Sequence, residues 1–233
     1  MTDIVANLKK VKQDIQHYAQ QVKRNPDEIQ LLAVSKTHTV DKILLAYEQG
    51  QRQFGENYLQ HAVPKAIELN QFDIEWHFIG KIQSNKTRQI ATHFAWVQTL
   101  DNEKHAQRLS QQRPSNLPAL NICIQVNISE ESQKAGILLK DILFLANIIN
   151  ELPNLNLRGL MAIPAASQDF QQQNQTFNLL HQAYQGLKAE YSHIDTLSMG
   201  MTSDIQAAIA QGSTMVRIGT GIFGTRETAG QSH

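Results

Sequence analysis

The feature that most constrains this chain is a rhythm in which short apolar, β-prone runs recur with a helical pattern between each and the next. Strand-like runs are read at 31–35, 53–55, 76–80, 95–100, 120–128, 155–163, 196–199 and 214–219. Segments 40–48, 59–69, 85–92, 103–112, 138–152, 170–190 and 204–211 carry apolar residues three and four apart, the spacing of a helix with one buried face. Strands that alternate with helices pair in parallel, because consecutive parallel strands need a crossover long enough to hold a helix. Eight such strands with right-handed crossovers fit an α/β fold, a single (β/α)8 TIM barrel. An open doubly wound sheet is the alternative, weakened because the first strand lacks a GxGxxG turn after it.

Ahead of the first strand, Ile4, Leu8, Val11, Ile15, Tyr18 and Val22 form one apolar stripe, predicting an extra N-terminal helix over 2–24 that ends near Asn25-Pro26. The stripe is just wide enough to cover the protein's own barrel, so a monomer is expected. The 233 residues suit one barrel domain over 1–233, with a polar tail at 227–233 that should fray. Lysine plus arginine number 21 and aspartate plus glutamate 21, so no net field draws the chain to nucleic acid or an anionic membrane. Cys123 is the single cysteine and sits in an apolar run, which excludes an internal disulfide and a cysteine metal cluster. Residues 1–10 lack the apolar stretch of a signal peptide, and no run approaches a bilayer-spanning length. A cytoplasmic protein is expected.

Lys36 closes the first apolar run, and strand alternation places it on one face with Leu32 and Val34. An amine against an apolar interior is poorly solvated as ammonium, which favours the neutral, nucleophilic form that a Schiff-base lysine needs. A lysine that merely snorkels to water is the plainer reading of this residue alone. In a barrel, sites lie at the carboxyl ends of the strands, and phosphates often sit over the loops after strands seven and eight. Both loops here are glycine-containing: Ser198-Met199-Gly200-Met201-Thr202-Ser203-Asp204, with a capping-box pattern at Ser203 and Gln206, and Gly219-Thr220-Gly221-Ile222-Phe223-Gly224. Arg217 shares the inward face of strand eight with Met215 and Gly219. Strand eight neighbours strand one once the barrel closes, at about 4.8 Å, so Lys36 and Arg217 should project into one site. Lysine, arginine and a phosphate cradle suggest an aldehyde cofactor that carries a phosphate. His77 reads as a histidine hydrogen-bonded inside a strand, Glu56 and Asp204 as cap or rim carboxylates, Lys86 as part of a solvated basic face, and Lys134 as part of a charged loop that could overhang the site.

The segments Ala33-Val34-Ser35-Lys36-Thr37, Phe54-Gly55-Glu56-Asn57-Tyr58, Trp76-His77-Phe78-Ile79-Gly80, Gln83-Ser84-Asn85-Lys86, Arg158-Gly159-Leu160-Met161-Ala162-Ile163-Pro164, Leu197-Ser198-Met199-Gly200-Met201 and Val216-Arg217-Ile218-Gly219-Thr220 resemble those of the pyridoxal phosphate homeostasis protein family almost end to end. That resemblance implies a barrel like the barrel domain of alanine racemase. It implies that Lys36 holds pyridoxal 5'-phosphate as an internal aldimine, that Arg217 faces the pyridine nitrogen and that Asn57 lies near the ring. It also implies phosphate contacts from Ser198, Met199, Gly219 and Thr220. The function it implies is storage or delivery of the cofactor to pyridoxal phosphate-dependent apo-enzymes, without catalysis. An amino-acid racemase is the alternative, disfavoured because alanine racemase takes its second base from an added β domain and a partner subunit, for which the chain leaves no room.

Overall fold

The computed structural model describes residues 3–129, 131 and 133–224. The expected fraying of 227–233 falls outside them. In chain order the elements are α1 (Ile4–Gln21), β1 (Gln30–Val34), α2 (Val40–Glu48), β2 (Gln53–Glu56), α3 (Leu59–Glu68), β3 (Glu75–Phe78), α4 (Thr87–His93) and β4 (Trp96–Leu100). There follow α5 (Glu103–Gln112), β5 (Leu120–Gln125), α6 (Ile142–Asn150), β6 (Leu155–Met161), α7 (Phe170–Glu190), β7 (Thr196–Ser198), α8 (Ile205–Ala210), β8 (Met215–Ile218) and α9 (Thr220–Phe223). The strands form a closed barrel in sequence order, and β1 pairs in parallel with both β2 and β8.

The pleat sorts each strand into two faces. Phe54, Phe78, Val97, Ile122, Leu160, Leu197 and Val216 turn outward and join the helices in one apolar core. The residues between them turn inward, and among these Trp96, Cys123 and Met161 form a separate small cluster. Burial pushes the Cys123 thiol up to about 12, which leaves it protonated and inert.

α1 is shorter than the expected 2–24. The Asp3 carboxylate accepts from the Ala6 amide at 2.9 Å and starts the helix at residue 4. Lys23 adopts a left-handed φ of 56°, and the Arg24 amide reaches back to the Ala19 carbonyl at 2.9 Å, which closes the last turn. The buried stripe is Ile4, Leu8, Val11, Ile15 and Ala19, laid on α2, α8 and α9, while Val22 is left exposed.

Other boundaries differ where polar groups intervene. β5 stops at Gln125, and Asn127 turns the chain by binding the carbonyls of Glu131 and Lys134. The expected helices at 85–92 and 138–152 each begin as a 3-10 turn, Ser84–Lys86 and Leu139–Asp141. After β8 the expected open glycine turn is the short helix α9, begun at Gly219. Among the described residues no helix is long and apolar enough to cross a membrane.

Candidate functional site

The carboxyl ends of β1, β2 and β8 surround a cavity of about 550 Å³, within the range of small-ligand sites. Lys36 reaches it from just beyond β1, and Thr37 then turns the chain away through a left-handed φ of 67°. The residue before Lys36 is anchored. Ser35 donates its amide to the Gly55 carbonyl at 3.0 Å and its hydroxyl to Glu56 Oε1 at 2.8 Å. Lys65 of α3 donates to that same carboxylate oxygen at 2.7 Å and to the Ser35 carbonyl at 3.1 Å. Glu56 is therefore no rim carboxylate: it is fully buried on the outward face of β2, in an ion pair that locks the ends of β1 and β2 together.

Arg217 rises from inside the barrel and is 4% exposed. Burial lowers its pKa to about 10, against the opposing pull of Asp204, so the guanidinium remains charged at neutral pH. It donates to Ser198 Oγ and to the Ala162 carbonyl, both at 2.8 Å. A guanidinium can only donate, and this one fact orients everything beneath it. Ser198 must accept from Arg217, so its hydroxyl proton goes to Gln98 Oε1 at 2.7 Å. Gln98 then offers its NH2 group to His77 Nδ1 at 2.9 Å and to Met215 Sδ at 3.0 Å. His77 consequently carries its proton on Nε2, which donates to Glu75 Oε1 at 3.0 Å. Burial holds the His77 pKa below 6.5 despite Glu75, so the imidazole is neutral. Its ring lies flat on Trp96, with centroids 5.0 Å apart and planes 9° apart.

Five of the seven residues expected at the site line the cavity together: Lys36, Asn57, Arg217, Gly219 and Thr220. Ser198 and Met199 do not. Ser198 lies below the floor with its hydroxyl committed to Arg217 and Gln98, and Met199 points outward into the apolar core while its amide donates to the Met215 carbonyl at 3.1 Å. Residues 201–203 line the cavity on that side instead. The loop that holds them was legible, but not which of its residues face inward, since alternation ends with the strand. The sequence reading also missed His38, which lines the cavity stacked on Phe223 at 4.9 Å, and Ile163, 43% exposed at the mouth. A loop histidine four residues past a strand carries no periodic signal.

Two details of the glycine loops differ from expectation. The capping box at Ser203 and Gln206 does not form, because Asp204 occupies the cap position and its carboxylate instead accepts from the Met201 amide. Burial raises the Asp204 pKa, with the Met201 amide and Arg217 opposing. Gly200, at φ 99°, is required by α8: a Cβ there would lie 2.5 Å from that of Ala208. At Gly219 a Cβ would come within 3.3 Å of the Val34 carbonyl, so the seam between β8 and β1 has no space to spare. Lys134 is paired with Glu131 at 2.7 Å and is absent from the lining.

The site thus offers a half-buried primary amine, a buried permanent cation and a glycine-bounded turn, a set suited to an anionic carbonyl compound. Among the described residues no group of three or more histidine, cysteine or carboxylate side chains could hold a metal.

Comparison with known proteins agrees with this chemistry. Residues 6–227 match the family described as alanine racemase, N-terminal domain. The pyridoxal phosphate homeostasis protein of Escherichia coli (strain K12) is 52% identical over 97% of this chain and 98% of its own length. That of Pasteurella multocida is 52% identical over 96% and 98%. PipY of Synechococcus elongatus, solved with pyridoxal 5'-phosphate bound, superposes with a TM-score of 0.80 at 32% identity, covering 95% of this chain and all of its own. Alanine racemase of Clostridium difficile shares the fold at a TM-score of 0.68 and 13% identity, with 96% of this chain and 58% of that one covered. A closed parallel barrel with an amine at the end of its first strand, matched end to end by such relatives, places the chain in the pyridoxal phosphate homeostasis protein family.

Proposed function

We propose that the protein binds pyridoxal 5'-phosphate in the Lys36 cavity and stores or delivers it as part of cofactor homeostasis. The observation that carries this reading is the meeting of Lys36, Arg217 and the Gly219-Thr220 turn in one space of about 550 Å³. The residues present fit the group. Lys36 Nζ is placed to condense with its aldehyde, releasing one water. Arg217, held by Ser198 and the Ala162 carbonyl, presents a fixed positive charge to the ring. Gly219 and Thr220 open α9, where first-turn amides lack helical partners, and with residues 201–203 they supply donors for the phosphate. Asn57 borders the ring space, and its buried Oδ1 has no hydrogen-bond partner in the protein alone. Ser198 supports the site through Arg217, and Met199 by fixing the backbone of β7.

A carrier is favoured over a racemase because racemisation needs a proton acceptor on each face of the substrate. Besides Lys36, the titratable side chains among the described lining residues are His38 and Arg217. Arg217 stays charged, and the His38 ring is stacked on Phe223. The cofactor supplies an electron-withdrawing ring; the protein's contribution is to hold it and to withhold a second base, a group typically worth about 10²- to 10⁴-fold in rate. The burial of the α1 stripe on the barrel supports a monomer, and the reading places it in the cytoplasm with apo-enzymes as recipients.

Borohydride reduction of loaded protein followed by peptide mass mapping should place the adduct on Lys36, and Lys36→Ala should lose the visible band while remaining folded. An adduct found only on another lysine would overturn the assignment. Exchange of α-protons of free amino acids into heavy water at about 1 per second or faster, lost in Lys36→Ala or His38→Ala, would establish an enzyme instead.

A further inference from the structure

A second cavity, of about 560 Å³, opens between α3 and the 84–86 turn that leads into α4. Asn57 lines both this groove and the Lys36 cavity, so a single residue stands between two spaces of nearly equal size. The backbone is pressed close there: a Cβ on Gly80 would lie 1.9 Å from the Asn57 carbonyl oxygen. The Asn57 Oδ1 noted above, buried and without a partner, is a polar atom at this wall that a bound molecule would satisfy.

The groove is positive. Lys81 and Lys86 line it, and its lining includes no carboxylate. Neither ammonium has a hydrogen bond or ion pair to another described residue, whereas Lys10, Lys65 and Lys134 each face a carboxylate within 2.7 Å. In a chain whose formal charges cancel, two uncompensated cations at one concavity are a local anion field. The groove also has aromatic surface. Tyr58, 47% exposed, stands at its edge, Phe78 forms part of its floor, and Gln83 adds a carboxamide. The exposed Tyr58 ring favours a flat partner, and two ammoniums suit a doubly charged phosphate.

We propose that this groove is a second, non-covalent site for a phosphate ester of a small heteroaromatic ring, the chemical class taken by the Lys36 cavity. The identity of the ligand rests on the function proposed above; the charge and shape of the groove do not. A protein that holds its cargo as a lysine imine releases the free aldehyde when water hydrolyses that bond, and a neighbouring weak site gives the freed molecule a place to rest on its way in or out. Lys81 and Lys86 take the phosphate, Tyr58 the ring face, and Asn57 and Gln83 its polar edge.

The test uses full-length protein whose Lys36 has been loaded with pyridoxal 5'-phosphate and reduced, so that the first cavity is permanently filled. Pyridoxine 5'-phosphate, which has an alcohol in place of the aldehyde and forms no imine with any lysine, is then titrated by calorimetry. One further equivalent should bind, more weakly as salt is raised, and about tenfold more weakly in Lys81→Ala/Lys86→Ala. That double variant should still load Lys36 completely. Inorganic phosphate should bind more weakly than the ester. No additional binding at millimolar ligand, or binding unchanged in the double variant, would overturn the site; equal affinity for inorganic phosphate would overturn its assignment to a ring-bearing ester. Failure of Lys36 to form an adduct, with groove binding intact in unreduced protein, would refute the function proposed above and leave this site standing.

Discussion

The two faces of the barrel wall are built on opposite principles. The outward face is apolar, with Phe54, Phe78, Ile122 and Leu160 packed beneath the helices, except where the Glu56–Lys65 ion pair joins the ends of β1 and β2. The inward face carries a hydrogen-bonded chain from Arg217 through Ser198, Gln98 and His77 to Glu75. Apolar packing is non-directional, so the outer face supplies stability and specifies little else. A chain of hydrogen bonds anchored by a pure donor has one orientation, so the inner face specifies the position of the charge beneath the ligand cavity. The difference teaches that folding and site geometry are carried by alternate residues of the same strands.

The comparison can be broken first on the outer side. Phe54→Ala should cost about 3–5 kcal/mol of global stability, measured by urea unfolding, while the protein that remains folded loads Lys36 normally. Lys65→Met should cost a similar amount, about 3–5 kcal/mol, because it strands the buried Glu56 carboxylate. Adding Glu56→Gln should recover most of that loss, and a double variant no better than the single would show that the ion pair is not the cause. Loss of cofactor loading in Phe54→Ala at full folding would erase the division of labour between the faces.

On the inner side the expected stability effects are smaller and the ligand effects larger. Ser198→Ala leaves Arg217 Nη1 and Gln98 Oε1 each without a partner, costing about 1–3 kcal/mol. It should also shift the absorption of bound cofactor and weaken its binding. An unaltered spectrum would mean that Ser198 does no positioning.

His77 sharpens the comparison through pH. Its folded pKa lies below 6.5, so the unfolded chain binds a proton that the native state refuses. Stability is therefore intact above about pH 6.5 and declines as pH falls, by at most about 1.4 kcal/mol per pH unit from this group. His77→Asn should remove that part of the slope between about pH 6.5 and 5. The smallest effect is spectroscopic: nitrogen NMR should find His77 neutral with its proton on Nε2, and a proton on Nδ1 would mean that the Gln98 amide is turned over, leaving only the Arg217–Ser198 link as described.

Much of this was legible beforehand. The eight strand runs and the intervening helices follow from period-two and period-3.6 patterns; the register sets Leu32 opposite Arg217, and Lys36 lines the same cavity from just beyond β1. His77 was readable as a bonded strand histidine. Glu56 was not readable as buried, because its partner Lys65 lies on the next helix, and a carboxylate at a strand end looks the same whether or not a cation is folded over it.

By itself, then, the sequence determined what repeats: the barrel, the alternation of its faces, and the presence of an amine, a guanidinium and glycine turns at the strand ends. Tertiary structure decided what alternation cannot reach. It put residues 201–203 and His38 into the cavity lining, sent Met199 outward, placed Ser198 under Arg217, and opened a second basic groove across Asn57. The physical reason is that periodicity encodes direction only within a regular element, whereas loops and buried polar partners are settled by which groups remain to satisfy one another once the barrel has closed.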